Sequence, residues 1–84
     1  MVYDFVLFRS LTHAQRAAAA LERAGLVCYI ARVPRALSDG ACGYGLKIPQ
    51  RRLSQALQLL QEEGVPPGRV WRAGADGTFR EVQG

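Results

Sequence analysis

The chain has 84 residues, 49% apolar and 21% charged, the composition of one small globular domain and too rich in Leu, Val and Ala for a disordered tail. Folding at this length hides only about 60 to 65% of the surface that the unfolded chain exposes, so one core must draw on nearly every element, and a cofactor-binding domain beside a substrate domain is excluded. Eleven Lys and Arg against seven Asp and Glu leave a net charge of +4, which attracts anions without identifying one.

Two cysteines, Cys28 and Cys42, are too few for a disulfide scaffold. Asp4 and Arg9 interrupt the short apolar start, so no secretory leader is expected. No apolar run approaches the roughly 20 residues that cross a bilayer. The expectation is a cytoplasmic protein with reduced thiols and no membrane association.

Val2 to Phe8 is β-branched and aromatic apart from Asp4, and reads as a strand buried on both faces and central in a sheet. Ser10 follows, and then Thr12-His13-Ala14-Gln15 fits a capping box that opens a helix. Ala14, Ala17, Ala18 and Leu21 form its small face, and Gly25 stands where a left-handed cap ends it. Leu26 to Val33 reads as a second strand, stopped by Pro34. A glycine-rich loop runs from Pro34 to Gly45, and Leu46 to Ile48 offers a short third strand.

The second helix is expected to take Pro49 into its first turn. It carries Leu53, Ala56, Leu57 and Leu60 on one stripe and ends at Gly64. After Pro66-Pro67-Gly68, Arg69 to Ala73 is a fourth strand, and Asp76-Gly77 turns it back into a short fifth strand at Phe79 to Val82. The order β-α-β-β-α-β is the ferredoxin-like α+β plan: a four-stranded antiparallel sheet with both helices on one face. Residues 1–73 are read as this single domain and residues 74–84 as a C-terminal hairpin or tail.

Cys42 lies between Ala41 and Gly43 and is sterically open, whereas Cys28 sits mid-strand among Val27, Tyr29 and Ile30. The thiolate is the nucleophile, and nearby cations or hydrogen-bond donors raise its fraction at neutral pH. Arg32 and Arg35 precede the loop, and Ser38 and the glycine amides are donors within it, so a reactive thiol at Cys42 is one reading. The other is a small residue filling a gap in a glycine-rich turn.

Phe8-Arg-Ser-x-Thr-His-Ala, Ala24-Gly-Leu, Val33-Pro-Arg-x-Leu-Ser38 and Cys42-Gly43 together resemble the selenium/sulfur carrier protein-like family of small bacterial domains, over roughly Tyr3 to Arg72. The resemblance implies a carrier that holds sulfur or selenium on Cys42 as a persulfide or selenopersulfide. It would pass this between a donor such as a cysteine desulfurase and an acceptor enzyme. Arg35 and Arg32 would stabilise the anion, Ser38 and Gly43 would shape the loop and Pro34 would stiffen it. Such a carrier has no turnover of its own and needs no cofactor or metal. Ser38 and Cys42 stand one residue further apart than the family spacing, and Gly45 replaces a commoner Ala.

Two rival readings remain. Gly43-Tyr44-Gly45 is similar to the third-strand signature of the RNA recognition motif, which shares the element order. It lacks the cation at Cys42 and the aromatic ring at Leu46 that base stacking requires. Nucleic-acid binding therefore ranks second. The third reading is a plain interaction module, and exposed sheet edges favour a homodimer. His13, Cys28 and Cys42 lack metal-ligand spacing, Glu62-Glu63 reads as a solvated helix end, and Trp71 and Phe79 read as core or sheet-edge packing.

Overall fold

The computed structural model describes residues 3–34, 37, 43–74 and 76–82. The elements in chain order are β1 (Tyr3–Leu7), α1 (Leu11–Arg23), β2 (Tyr29–Arg32), β3 (Tyr44–Pro49), a 3-10 turn at Gln50–Arg52, α2 (Leu53–Glu62), β4 (Val70–Ala73) and β5 (Phe79–Val82). The strands form one sheet in the order β2-β3-β1-β4-β5, and every neighbouring pair is antiparallel. The first four strands have the ferredoxin-like arrangement, and β5 extends it past β4.

β1 is central as expected, between β3 and β4. Its alternation divides the molecule. Val6 stands opposite Leu46 and Val70 and packs with Ala14, Ala17 and Leu21 of α1 and Leu53, Ala56 and Leu60 of α2 in one core. Both helices therefore cover the same face. The alanines of α1 leave little bulk between helix and sheet, so the helix can lie close to it. On the other face Tyr3 and Phe5 are only half-buried, and Leu7 packs with Val33 and Leu37 in a second small cluster flanked by Trp71 and Phe79.

Asp4, the one polar residue of β1, is fully buried. Its two carboxylate oxygens accept from Nε and a terminal nitrogen of Arg72, each at 3.0 Å, and Arg72 stands opposite Asp4 in the register. A buried charge is tolerated only when paired and hydrogen-bonded in this way.

Several boundaries differ from the sequence expectation. α1 is capped by Ser10, not Thr12: Ser10 has extended backbone (φ −156°, ψ 164°), and its Oγ accepts the His13 N–H at 3.2 Å. Thr12 lies inside the first turn. β2 starts at Tyr29 rather than Leu26 because Leu26 is consumed by the helix cap. Its N–H reaches the Leu21 carbonyl at 2.9 Å while the Gly25 N–H reaches Glu22 at 2.9 Å, a Schellman motif with Gly25 at φ 79°. The same motif closes α2, with Val65 N–H on the Leu60 carbonyl at 2.9 Å and Gly64 at φ 74°. β3 is longer than expected, Tyr44–Pro49, and Pro49 ends this strand instead of entering the α-helix; the 3-10 turn intervenes.

Gly45 on β3 has no room for a side chain. A Cβ there would come within 2.6 Å of the Val6 carbonyl oxygen and 3.0 Å of a Val33 methyl, whereas one at Gly43 would meet nothing within 4 Å. Gly45→Ala is expected to destabilise the fold by about 1 to 3 kcal/mol, the range of core overpacking, with Gly43→Ala close to neutral; urea unfolding of the two variants measures the difference. In the same assay Arg72→Ala, which strands a buried carboxylate, should lower the urea midpoint more than Asp4→Ala, which frees a partly exposed guanidinium to find water.

Candidate functional site

The segment from Pro34 to Gly43 connects β2 to β3, and its described residues show how its base is tied. The Val33 N–H donates to the Gly43 carbonyl at 2.7 Å, continuing the ladder in which Arg32 faces Tyr44. The Leu37 N–H donates to the Pro34 carbonyl at 2.9 Å. The buried Leu37 side chain packs with Leu7 and Val33, on the sheet face opposite the helices. The indole N–H of Trp71, which packs against this cluster, is buried without an acceptor.

Arg32 is exposed at the end of β2, and its guanidinium lies 5.8 Å from the centre of the Tyr44 ring, a cation–π contact. Gly43 and Pro34 are half-buried. Cys42, Arg35 and Ser38 lie outside the described residues.

Cys28 belongs to the hydrophobic core. Burial first, and the carboxylate of Glu22 second, push its thiol above the ordinary value. Both effects disfavour the thiolate, so Cys28 is a poor nucleophile at neutral pH.

Tyr44 and Leu46 alternate with Gly45 along β3, and Leu46 is fully buried beneath the helices. The two positions that a base-stacking signature would place on the open sheet therefore face the helix layer. The rings on the open side come from elsewhere: Tyr3 and Tyr29 meet edge to face at 6.5 Å, and Phe5 and Phe79 at 6.0 Å. On the edge strand and just before it, Val27, Tyr29 and Ile30 are exposed.

One feature went unread in the sequence. Where β1 ends and α1 begins, a half-open cavity of about 610 Å³ borders Leu37 and the linker from α2 to β4. Arg9, His13, Arg16 and Arg69 are among the residues that line it. The residues come from three segments of chain, and only the i, i+3 spacing of His13 and Arg16 on one helix face could have signalled the cluster.

Among the described residues no group of three or more His, Cys, Asp or Glu is placed to hold a metal ion, and no helix is long and apolar enough to cross a membrane. The architecture is that of a small α+β domain with one cysteine sealed in its core. The sequence matches the family described as "Putative Se/S carrier protein-like" over residues 3–72, and the chain belongs to that family. No curated protein and no solved structure matches it.

The burial of Cys28 is directly testable in a Cys42→Ser variant, where Cys28 is the sole thiol. Folded protein should resist an aromatic disulfide reagent at neutral pH and react fully in urea. The raised thiol pKa also has a stability consequence. The folded state keeps a proton that the unfolded state releases, so stability falls as pH climbs from the ordinary thiol range toward the raised value. Cys28→Ala should remove this part of the alkaline loss, measured as the difference between the two unfolding curves across pH.

Proposed function

We infer that the chain is a carrier that accepts sulfur or selenium on Cys42 and delivers it to a partner enzyme. The observation that carries this reading is the sequestration of Cys28 in the core, which leaves Cys42 as the thiol for chemistry in a member of a family described by carriage. The tied base of the β2–β3 connection supports it. The Val33–Gly43 hydrogen bond and the burial of Leu37 anchor the connection on both sides of its glycine-rich stretch. The open space at Gly43 admits the close approach of a second protein.

In the sulfur form, the Cys42 thiolate attacks the terminal sulfur of a donor's persulfide. A bond forms between Cys42 Sγ and that sulfur, the donor's S–S bond breaks, and the donor leaves as a thiolate. No net oxidation or reduction occurs, and the reverse logic delivers the sulfur to an acceptor thiolate. Arg35 and Arg32 favour the anionic forms of Cys42 by charge, Ser38 and the amide of Gly43 by hydrogen bonding, and Pro34 restricts the loop at its start. A cysteine desulfurase is the fitting donor class, because it presents sulfur in this oxidation state.

Incubation with a cysteine desulfurase and cysteine should add about 32 Da, the mass of one sulfur atom transferred by persulfide exchange, in intact-mass measurement. Cys28→Ala should keep the adduct and Cys42→Ser should lose it. An adduct that persists in Cys42→Ser, or none with any of several desulfurases, would overturn the sulfur form of the reading.

A further inference from the structure

We propose that the cavity between the end of β1, the start of α1 and the α2–β4 linker binds a phosphate monoester, with the phosphate on its lining cations and the organic body against its apolar lining residues. This goes beyond the carrier reading and does not depend on Cys42.

The charge argument comes first. Among the described residues, Arg9 and Arg16 have no carboxylate or hydrogen-bond partner, whereas Arg23 is paired with Glu63 at 2.8 Å and Arg72 with Asp4 at 3.0 Å. Arg69 adds a third guanidinium to the lining and is paired with Glu81 at 3.7 Å. The first turn of α1 contains no acidic residue, so the partial positive charge of the helix N-terminus adds to this field uncompensated. An anion entering here meets several positive groups and no carboxylate among the cavity's lining residues.

The donor geometry points the same way. Ser10 Oγ lies 2.7 Å from His13 Nδ1 and also accepts the His13 backbone N–H. The Ser10 hydroxyl can donate its proton to Nδ1; in that tautomer Nε2 carries the ring proton and is a donor for a ligand. Phe8, Leu37, Val65 and Pro67 add apolar surface to the lining. The linker is held there by Gly68 N–H on the Leu7 carbonyl at 2.8 Å and Leu7 N–H on the Arg69 carbonyl at 2.9 Å. The cavity is thus built on paired backbone rather than on a loose loop.

Size separates a free ion from an ester. A volume of about 610 Å³ falls in the range of sites for small organic ligands, and inorganic phosphate alone would leave the apolar lining wet. A monoester uses both kinds of lining residue: the dianion on Arg9, Arg16 and His13, the body on apolar residues such as Phe8 and Pro67.

Amide NMR titration of the whole chain tests this, using adenosine monophosphate, inorganic phosphate and adenosine as probes. Saturable shifts at His13, Arg16 and Gly68 are expected with adenosine monophosphate, with weaker binding of inorganic phosphate at the same amides. Arg9→Ala and Arg16→Ala should each weaken the monoester roughly ten- to a hundredfold, the scale of a lost hydrogen bond between charged groups. Arg51→Ala, exposed and outside the cavity, should change nothing. Cys42→Ser should bind normally, so binding succeeds or fails independently of sulfur carriage. No saturable shift up to about 20 mM, far weaker than any specific site, would overturn the proposal. So would an equal loss in Arg51→Ala, the mark of diffuse attraction. Equal affinity for phosphate and its ester, or tight binding of adenosine itself, would overturn the assignment of a monoester.

Discussion

The pairing of Asp4 with Arg72 is the constraint on which the rest of the sheet depends. β1 is central, and its register decides which side chains of β3 and β4 enter the core. A slip by one residue would turn Val6, Leu46 and Val70 out of the core together. Apolar residues alone tolerate such slips more readily than a fully buried carboxylate whose two oxygens match the two nitrogens of one guanidinium. Gln50 lies beside the same guanidinium and, with its amide oxygen turned inward, accepts from Arg72 at 3.0 Å. The 3-10 turn ahead of α2 is thereby joined to the pair, so one polar cluster ties β1, β4 and the entry to the second helix.

Fixing β4 against β1 also fixes what precedes β4. The linker that leaves the Schellman cap of α2 at Gly64 and Val65 must reach Val70 in register, and on the way it borders the basic cavity. Gly68 comes so near β1 that a Cβ would stand 3.1 Å from the Leu7 carbonyl oxygen. The cavity is therefore a consequence of register and not an independent loop structure. A similar economy operates at β3, where Gly45 lets the strand approach the Val6 carbonyl.

The element order, the central place of β1 and the fifth strand were legible in the sequence because each rests on local pattern: alternation, helical stripes, and Asp76-Gly77 as a turn with Gly77 at φ 86°. Boundaries were less so. Ser10 and Thr12 both have the chemistry of a cap, and backbone torsion decides between them. Leu26 reads equally as strand or as the apolar residue that follows a helix cap. The contrast between the two cysteines was half legible: Cys28 is a buried packing residue, although it precedes β2 and does not lie mid-strand as expected, while Cys42, Arg35 and Ser38 lie outside the described residues. The basic cavity was not legible at all, since Arg9 and His13 looked like a strand end and a helix start, and Arg69 stands more than fifty residues away.

The net charge of +4 says little until the partners are assigned. Asp4 is spent on Arg72 inside the fold, Glu63 answers Arg23, Glu81 reaches toward Arg69, and Asp76 takes the hydroxyl and amide of Thr78, which hold its pKa below the usual carboxylate range. Lys47 lies 5.1 Å from the Tyr3 ring centre, and Arg32 over Tyr44. Arg9 and Arg16, with no carboxylate partner among the described residues, line one cavity. An excess that is diffuse in composition becomes local through folding, because a small domain has few carboxylates and its sheet register commits the most buried of them to Arg72.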